Sequence, residues 1–403
     1  MCKAGHTGKA VKLLHLFDEK GNCKPNIFAY NTIIDSLCKD RMVDNALGLL
    51  QKMMGKGIPP DVVTYNSLID GLCKLSLWEA VKEMLNRMMD FRISLDVQTY
   101  SILVVGFCRE GWVISAAKLI DKMLIEGLTP DTVTYNGLMD GYCTQGNINS
   151  AFRLLRTMID SGCDLDIWTF NILINGCYKS GFSNKAVQLF GNLQSQGLKP
   201  IVVTYNIMLV CLFQEGKCED AEKLFKEMVG NREYPNLITY NILLNGFCKN
   251  HRVVQALSLL RMMARSPVPN IISYSIIING LWNDGKAWSA MELFNALPSK
   301  GLLPDNFTYN TMIIGLCREG LLDHARDMLM KMEKNGYVAN SVVYNVFIRG
   351  LLKKSEYSEV VLLLEEMSRR GLSPDNSTCE IVLKIILQKG SDSALLHMLL
   401  NTK

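Results

Sequence analysis

A chain of 403 residues with 43 Lys and Arg against 39 Asp and Glu has a net charge of +4, too small to mark a nucleic-acid binder by bulk charge. Apolar content of 48% fits a folded chain, and no run of 18 apolar residues lacks charge, so no membrane span is expected. The 13 Cys form no C-x-x-C pair and do not cluster with His at ligand spacing, which argues against a disulfide framework or a zinc site, and no cofactor is expected.

In chain order, Met1-Cys2-Lys3-Ala4-Gly5 aligns with the middle of a segment that recurs later (Leu72-Cys73-Lys74). The chain is therefore read as starting inside a repeat and as shorter than a complete array, with no targeting segment of its own. Residues 1–26 form that partial repeat, with a helix over Gly8–Glu19 and a turn ending Lys24-Pro25-Asn26. Ten full repeats follow: 27–61, 62–96, 97–131, 132–166, 167–201, 202–236, 237–270, 271–305, 306–340 and 341–375. Their Tyr-Asn step recurs every 35 residues, except once at 34, and a fixed period of this size marks a solenoid. The short repeat contains Arg265-Ser266-Pro267-Val268-Pro269, so its loop is where the residue is lost. Residues 376–403 begin an eleventh repeat without the Tyr-Asn step and end as a polar cap.

Each repeat reads as helix A, turn, helix B, loop. Counting positions within a repeat from 1, Tyr65, Leu68, Ile69 and Leu72 (positions 4, 7, 8 and 11) make one apolar stripe at the helical period. Ala recurs at position 20 (Ala46, Ala116, Ala151), and Met recurs as a core stripe (Met53, Met88, Met123). Gly at position 10 (Gly71, Gly106, Gly141) is costly inside a helix, so it predicts close packing. Cys38, Cys73, Cys108, Cys143, Cys248 and Cys317 share position 12 and read as small buried hydrophobes. Gly57, Gly127 and Gly162 suit left-handed caps after helix B, and Pro60 and Pro130 follow the first two.

On a helical wheel, positions 2, 5, 9 and 13 of helix A share the face opposite the stripe. Position 13 is Lys39, Lys74, Arg109, Lys179, Lys249, Arg318 and Lys353, with Thr144, Gln214 and Asn283 as exceptions. A cation there complements the helix dipole, and a column in register equally suits a phosphate chain; both stay open. Position 5 is Asn31, Asn66, Asn136, Asn171, Asn206, Asn241, Asn310 and Asn345, with Ser101 and Ser275 in two repeats. Asn and Ser are mediocre in helices, and their donors and acceptors suit base edges. Position 35 is Asp61, Asp96, Asp131, Asp166, Ile201, Asn236, Asn270, Asp305, Asn340 and Asp375. These are also good N-caps, apart from Ile201, so capping and recognition both remain open.

The V-T-Y-N-x-L-I-x-G-L-C-K … A … M … G-x-x-P-D pattern resembles the pentatricopeptide repeat in its plain 35-residue form, over nearly the whole chain. Its dense V-T-Y-N steps look like the restorer-of-fertility-like group of plant organellar proteins. The resemblance implies an all-α, right-handed superhelical solenoid that binds single-stranded RNA one base per repeat. It implies base selection by positions 5 and 35. It also implies sandwiching by position 2: Phe28, Val63, Val133, Trp168, Val203, Ile238, Ile272, Phe307 and Val342, with Gln98 departing. Carried over repeat by repeat, the pairs imply 5′-UUGUYCCGCU-3′, with Asn171/Ile201 undefined beyond pyrimidine. A mitochondrial role is implied first, with chloroplast the alternative, in RNA processing, stabilisation or translation control and with a nuclease or other RNA-processing partner. The competing expectation is a protein-binding scaffold, which gives the Asn and Lys columns no reason to stay in register. An enzyme is not expected: the five His are scattered and no H-x-E…C-x-x-C signature occurs.

Overall fold

A computed structural model describes residues 7–20, 25–263 and 267–389, and among them there are α-helices and one 3₁₀ turn but no strand. The chain divides into two compact units, residues 1–201 and 202–403. In the first, Thr7–Lys20 precedes A helices Ile27–Lys39, Val62–Lys74, Val97–Arg109, Thr132–Thr144 and Ile167–Lys179. Their B helices are Val43–Gly55, Trp78–Asp90, Val113–Ile125, Ile148–Asp160 and Ser183–Ser195. In the second, the A helices are Val202–Gln214, Leu237–Lys249, Ile271–Asn283, Asn306–Arg318, Ser341–Lys353 and Asn376–Lys389. Cys218–Gly230, Val253–Met262, Ala287–Asn295, Leu322–Lys334 and Tyr357–Arg369 are the B helices there. Within each unit an A helix packs on its own B helix and on the A helix of the next repeat, the arrangement of an all-α solenoid.

The expected stripe is the core: Tyr65, Leu68, Ile69 and Leu72 are all fully buried. Ala46, Ala116 and Ala151, with Met53, Met88 and Met123, are equally inaccessible where helix B meets helix A. The Gly and Cys columns are two sides of one contact. A Cβ added at Gly141 would lie 2.6 Å from Cys108 Sγ, and one at Gly176 would lie 2.4 Å from Cys143 Sγ. Position 12 of one repeat thus fills the space that a missing side chain leaves at position 10 of the next. Phe213 against Gly246 and Trp282 against Gly315 fill it with a ring. Burial pushes the thiols of Cys38, Cys73, Cys108, Cys143, Cys248 and Cys317 up to about 12, so these side chains act as hydrophobes and not as nucleophiles.

Every full repeat except the short one turns twice through left-handed backbone. The turn after helix B uses the expected glycines, such as Gly57 at φ 73° and Gly127 at φ 77°. The turn between A and B, unremarked in the sequence, uses position 15: Gly111 and Gly146 take φ 80° and 72°, while Ser76 takes φ 57° with a side chain in place. In the short repeat, helix B is 10 residues long instead of 13. Arg265 and Ser266 in its loop lie outside the described residues, as do Met1–Gly5, Lys24 and the expected cap at 390–403.

Candidate nucleic-acid interface

Position 35 caps the following A helix. Asp61 Oδ1 accepts the Thr64 N–H at 2.9 Å, and Asp96, Asp131, Asp166, Asn236, Asn270, Asp305, Asn340 and Asp375 accept the equivalent N–H in their helices. Ile201 offers no such acceptor. The sequence reading missed the partner in this cap, the hydroxyl at position 3. Thr64, Thr99, Thr134, Thr169, Thr239, Ser273 and Thr308 are fully buried, and all seven hydroxyls reach the capping side chain as well. The signal was the Thr of V-T-Y-N, three residues after an Asp or Asn, which is a capping box with Thr at its far end.

Position 5 is not on an open face. The wheel placed it opposite the buried stripe, but Asn66, Ser101, Asn171, Ser275 and Asn345 are 5% exposed or less. The reason is that helix A packs on more than its own helix B: the next helix A covers position 5. There the Asn joins the next cap. Asn31 Nδ2 donates to Asp61 Oδ1 at 3.0 Å and Asn31 Oδ1 accepts from Thr64 Oγ1 at 2.6 Å. The same pair of bonds holds Asn66 to Asp96 and Thr99, and Asn136 to Asp166 and Thr169. Asn241 Oδ1 accepts from Ser273 Oγ at 2.7 Å. Ser101 Oγ likewise reaches both Asp131 Oδ1, at 3.3 Å, and Thr134 Oγ1, whereas Ser275 Oγ reaches only Thr308 Oγ1 of the next repeat; each hydroxyl also bonds a carbonyl one turn back.

The bonds to each capping Asp from Asn31, Asn66 and Asn136 and from the Thr hydroxyls all fall on Oδ1. In Asp61, Asp96, Asp131, Asp166 and Asp305 the second oxygen, Oδ2, takes part in no hydrogen bond among the described residues. Burial raises the carboxyls of Asp61 and Asp96, but the N–H and O–H of Thr64 and Thr99 and the amides of Asn31 and Asn66 outweigh it and hold both below their ordinary value. Four repeats depart from the pattern. Asn171, facing Ile201, is buried with both side-chain polar atoms unpartnered. Asn310 Oδ1 is likewise unpartnered because position 3 of the next repeat is Val343, without a hydroxyl, and Asn206 Oδ1 is also unpartnered. In the last repeat Asn345 Nδ2 turns to its own helix at the Ser341 carbonyl, 2.7 Å away.

Position 2 is the open part of the face. Phe28 is 76% exposed, and Val63, Val133, Trp168, Val203, Ile238, Ile272, Phe307 and Val342 are all exposed large hydrophobics. Gln98, the polar exception, is exposed too. Lys39, Lys74, Arg109, Lys179, Lys249, Arg318 and Lys353 are all exposed at the ends of their helices. Lys39 and Lys74 are held by Asp35 and Asp70 one turn back, whereas the other five form no ion pair among the described residues.

The match to known repeats spans the same period. PPR repeat family segments align at 25–74, 60–109, 105–143, 130–179, 170–209, 200–249, 235–283, 269–318 and 339–386, with a further PPR repeat at 307–337. The chain belongs to the PPR repeat family. Among solved structures it is similar to the pentatricopeptide repeat protein PPR10 in complex with an 18-nucleotide psaJ RNA element, at 25% identity and TM-score 0.77. That match covers 98% of this chain and 58% of the PPR10 chain, so the PPR array here spans less than two thirds of its relative. The structure of PPR10 from maize, at 21% identity and TM-score 0.60, shares the fold over 100% of this chain and 67% of that one. No curated protein sequence matches the chain.

Proposed function

We propose that the chain binds single-stranded RNA in a sequence-selective manner, one base per PPR repeat, without catalysing a reaction. The observation that carries this is the unused half of each cap. Where position 35 is Asp61, Asp96, Asp131, Asp166 or Asp305, Oδ1 serves the helix and Oδ2 remains an acceptor. An acceptor beside a base suits one with a ring N–H on its pairing edge, U or G. Where position 35 is Asn, the cap consumes Oδ1 and leaves N–H donors, as at Asn236. Donors suit a base with a bare ring nitrogen, C or A. Capping and reading are then compatible in one residue. The exposed apolar column at position 2 supplies surfaces for bases to pack between, with rings to stack on at Phe28, Trp168 and Phe307. The unpaired cations at position 13 lie at the ends of the same helices, where phosphates would pass.

The relative PPR10 was solved with an RNA element, which supports the same class of ligand here. The base code carried over by resemblance gives 5′-UUGUYCCGCU-3′ for repeats 27–61 to 341–375. An organellar setting, mitochondrial first, and a role in RNA processing, stability or translation with an RNA-processing partner belong to this proposal through the restorer-like V-T-Y-N pattern. Filter binding at low salt tests it. The ten-mer should bind at least about tenfold more tightly than a scrambled ten-mer, the effect of about one well-read base. Equal and negligible binding of both would overturn the reading.

A further inference from the structure

The tenth repeat carries the same residues at positions 5 and 35 as the first, Asn345/Asp375 against Asn31/Asp61, yet the two are wired differently. In the first, Asn31 donates to Asp61 Oδ1 and Oδ2 stays free. In the tenth, Arg349 Nη1 reaches Asp375 Oδ1 at 3.0 Å, Asp375 Oδ2 at 2.9 Å and Thr378 Oγ1 at 3.2 Å. Asp375 Oδ1 still caps its helix through the Thr378 N–H at 2.7 Å. Asn345 is displaced: its Nδ2 donates to the Ser341 carbonyl, and its Oδ1 accepts the Asp375 backbone N–H at 2.9 Å. Arg349 sits at position 9, where the other repeats carry Asp35, Asp70, Val105, Asp140, Asn175, Val210, Asn245, Asn279 or Ile314, none of them a cation.

We infer that Arg349 changes the base preference of the tenth repeat from U to C. The inference rests on the proposed reading of RNA through positions 5 and 35. The oxygen that stays unbonded at Asp61 and Asp96 here accepts from Arg349, so a base must share it with a guanidinium donor. The groups left over are the remaining N–H donors of the Arg349 guanidinium, whose side chain is 27% exposed. A ring N–H, as in U, meets an acceptor that is already bonded, with a guanidinium donor beside it. The bare N3 and the O2 of C accept from a guanidinium fork. An unmet donor at a site built to pair it costs discrimination as well as affinity.

The test uses two sets of four ten-mers, one varied only at base ten and one varied only at base one, bound to the intact chain by filter retention. Base one should favour U over C by roughly tenfold, and base ten should favour C over U. Arg349→Asn, which installs the residue found as Asn175 or Asn245, should return base ten to U while leaving base one unchanged. A wild-type preference for U at base ten equal to that at base one overturns the inference, and that comparison needs no variant. Persistence of C at base ten in a folded Arg349→Asn protein overturns the role of Arg349. Absence of any U preference at base one removes the base-reading premise itself, and the inference with it.

Discussion

The buried hydroxyl at position 3 joins stability to recognition. In Thr99 it bonds both the cap, Asp96, and the Asn66 amide of the preceding repeat. The repeat at Val343 shows what its loss does: Asn310 Oδ1 is left with no partner. Thr99→Val, close in shape, should therefore lower unfolding free energy by about 1–2 kcal/mol, half a lost cap and half an orphaned amide oxygen, read by urea denaturation. The capping carboxylates also set a pH dependence. Asp61 and Asp96 titrate below their ordinary 3.8 in the folded chain, so their stabilisation is complete above that value and fades as pH falls through the lowered one. Urea midpoints should hold steady from pH 7 to about 5 and drop below about 4, and Asp96→Asn, which keeps a capping oxygen, should flatten part of that drop. At this scale the residue types at positions 5 and 35 were legible, because Asn and Asp in fixed register stand out from any helix propensity. The bonds they share were not, because they join side chains 30 and 33 residues apart.

Helices A and B and their period could be read from the stripe of Tyr, Leu and Ile, and the Met column, read as a core stripe, is buried with the Ala column. A helical wheel assigns one partner to one face, which is why the seam between successive A helices escaped it and position 5 was placed in the open. The Gly column was legible as close packing, but its partner was not: the Cys column had been read as a generic hydrophobe. The structure makes them one contact, and this gives a test. Gly176→Ala adds a methyl 2.4 Å from Cys143 Sγ, so overpacking of about 1–3 kcal/mol should outweigh the roughly 1 kcal/mol that Ala gains in helix propensity. The expected net is a lower melting temperature, with Gly8→Ala, which meets nothing within 4 Å, as the matched control that does not fall. The left-handed turn at position 15 was hidden because four of its ten residues, Arg41, Ser76, His251 and Ser355, are not glycine.

The repeat period underlies the helix pairs of both units, and a net charge of +4 leaves placement as the source of any affinity for RNA. Placement also sets how strongly salt acts. All seven position 13 cations together would give a slope of log affinity on log salt of about −5, at roughly −0.7 per contact. With Lys39 and Lys74 held by their own aspartates, five remain, and the slope should be nearer about −3.5. A titration from 50 to 300 mM KCl reads it, and a slope near zero would remove phosphate contact from the account. The central claim, that positions 5 and 35 read bases while capping helices, is tested most directly at Ser101. Asn fits the site, since Asn66 fills the equivalent one with the same Asp and Thr partners. RNA selection with the Ser101→Asn protein should move the third base from G towards U and leave the other nine as they were. An unchanged third base, or a uniform loss of binding across all ten, would contradict it and leave the Asn column as a structural seam alone.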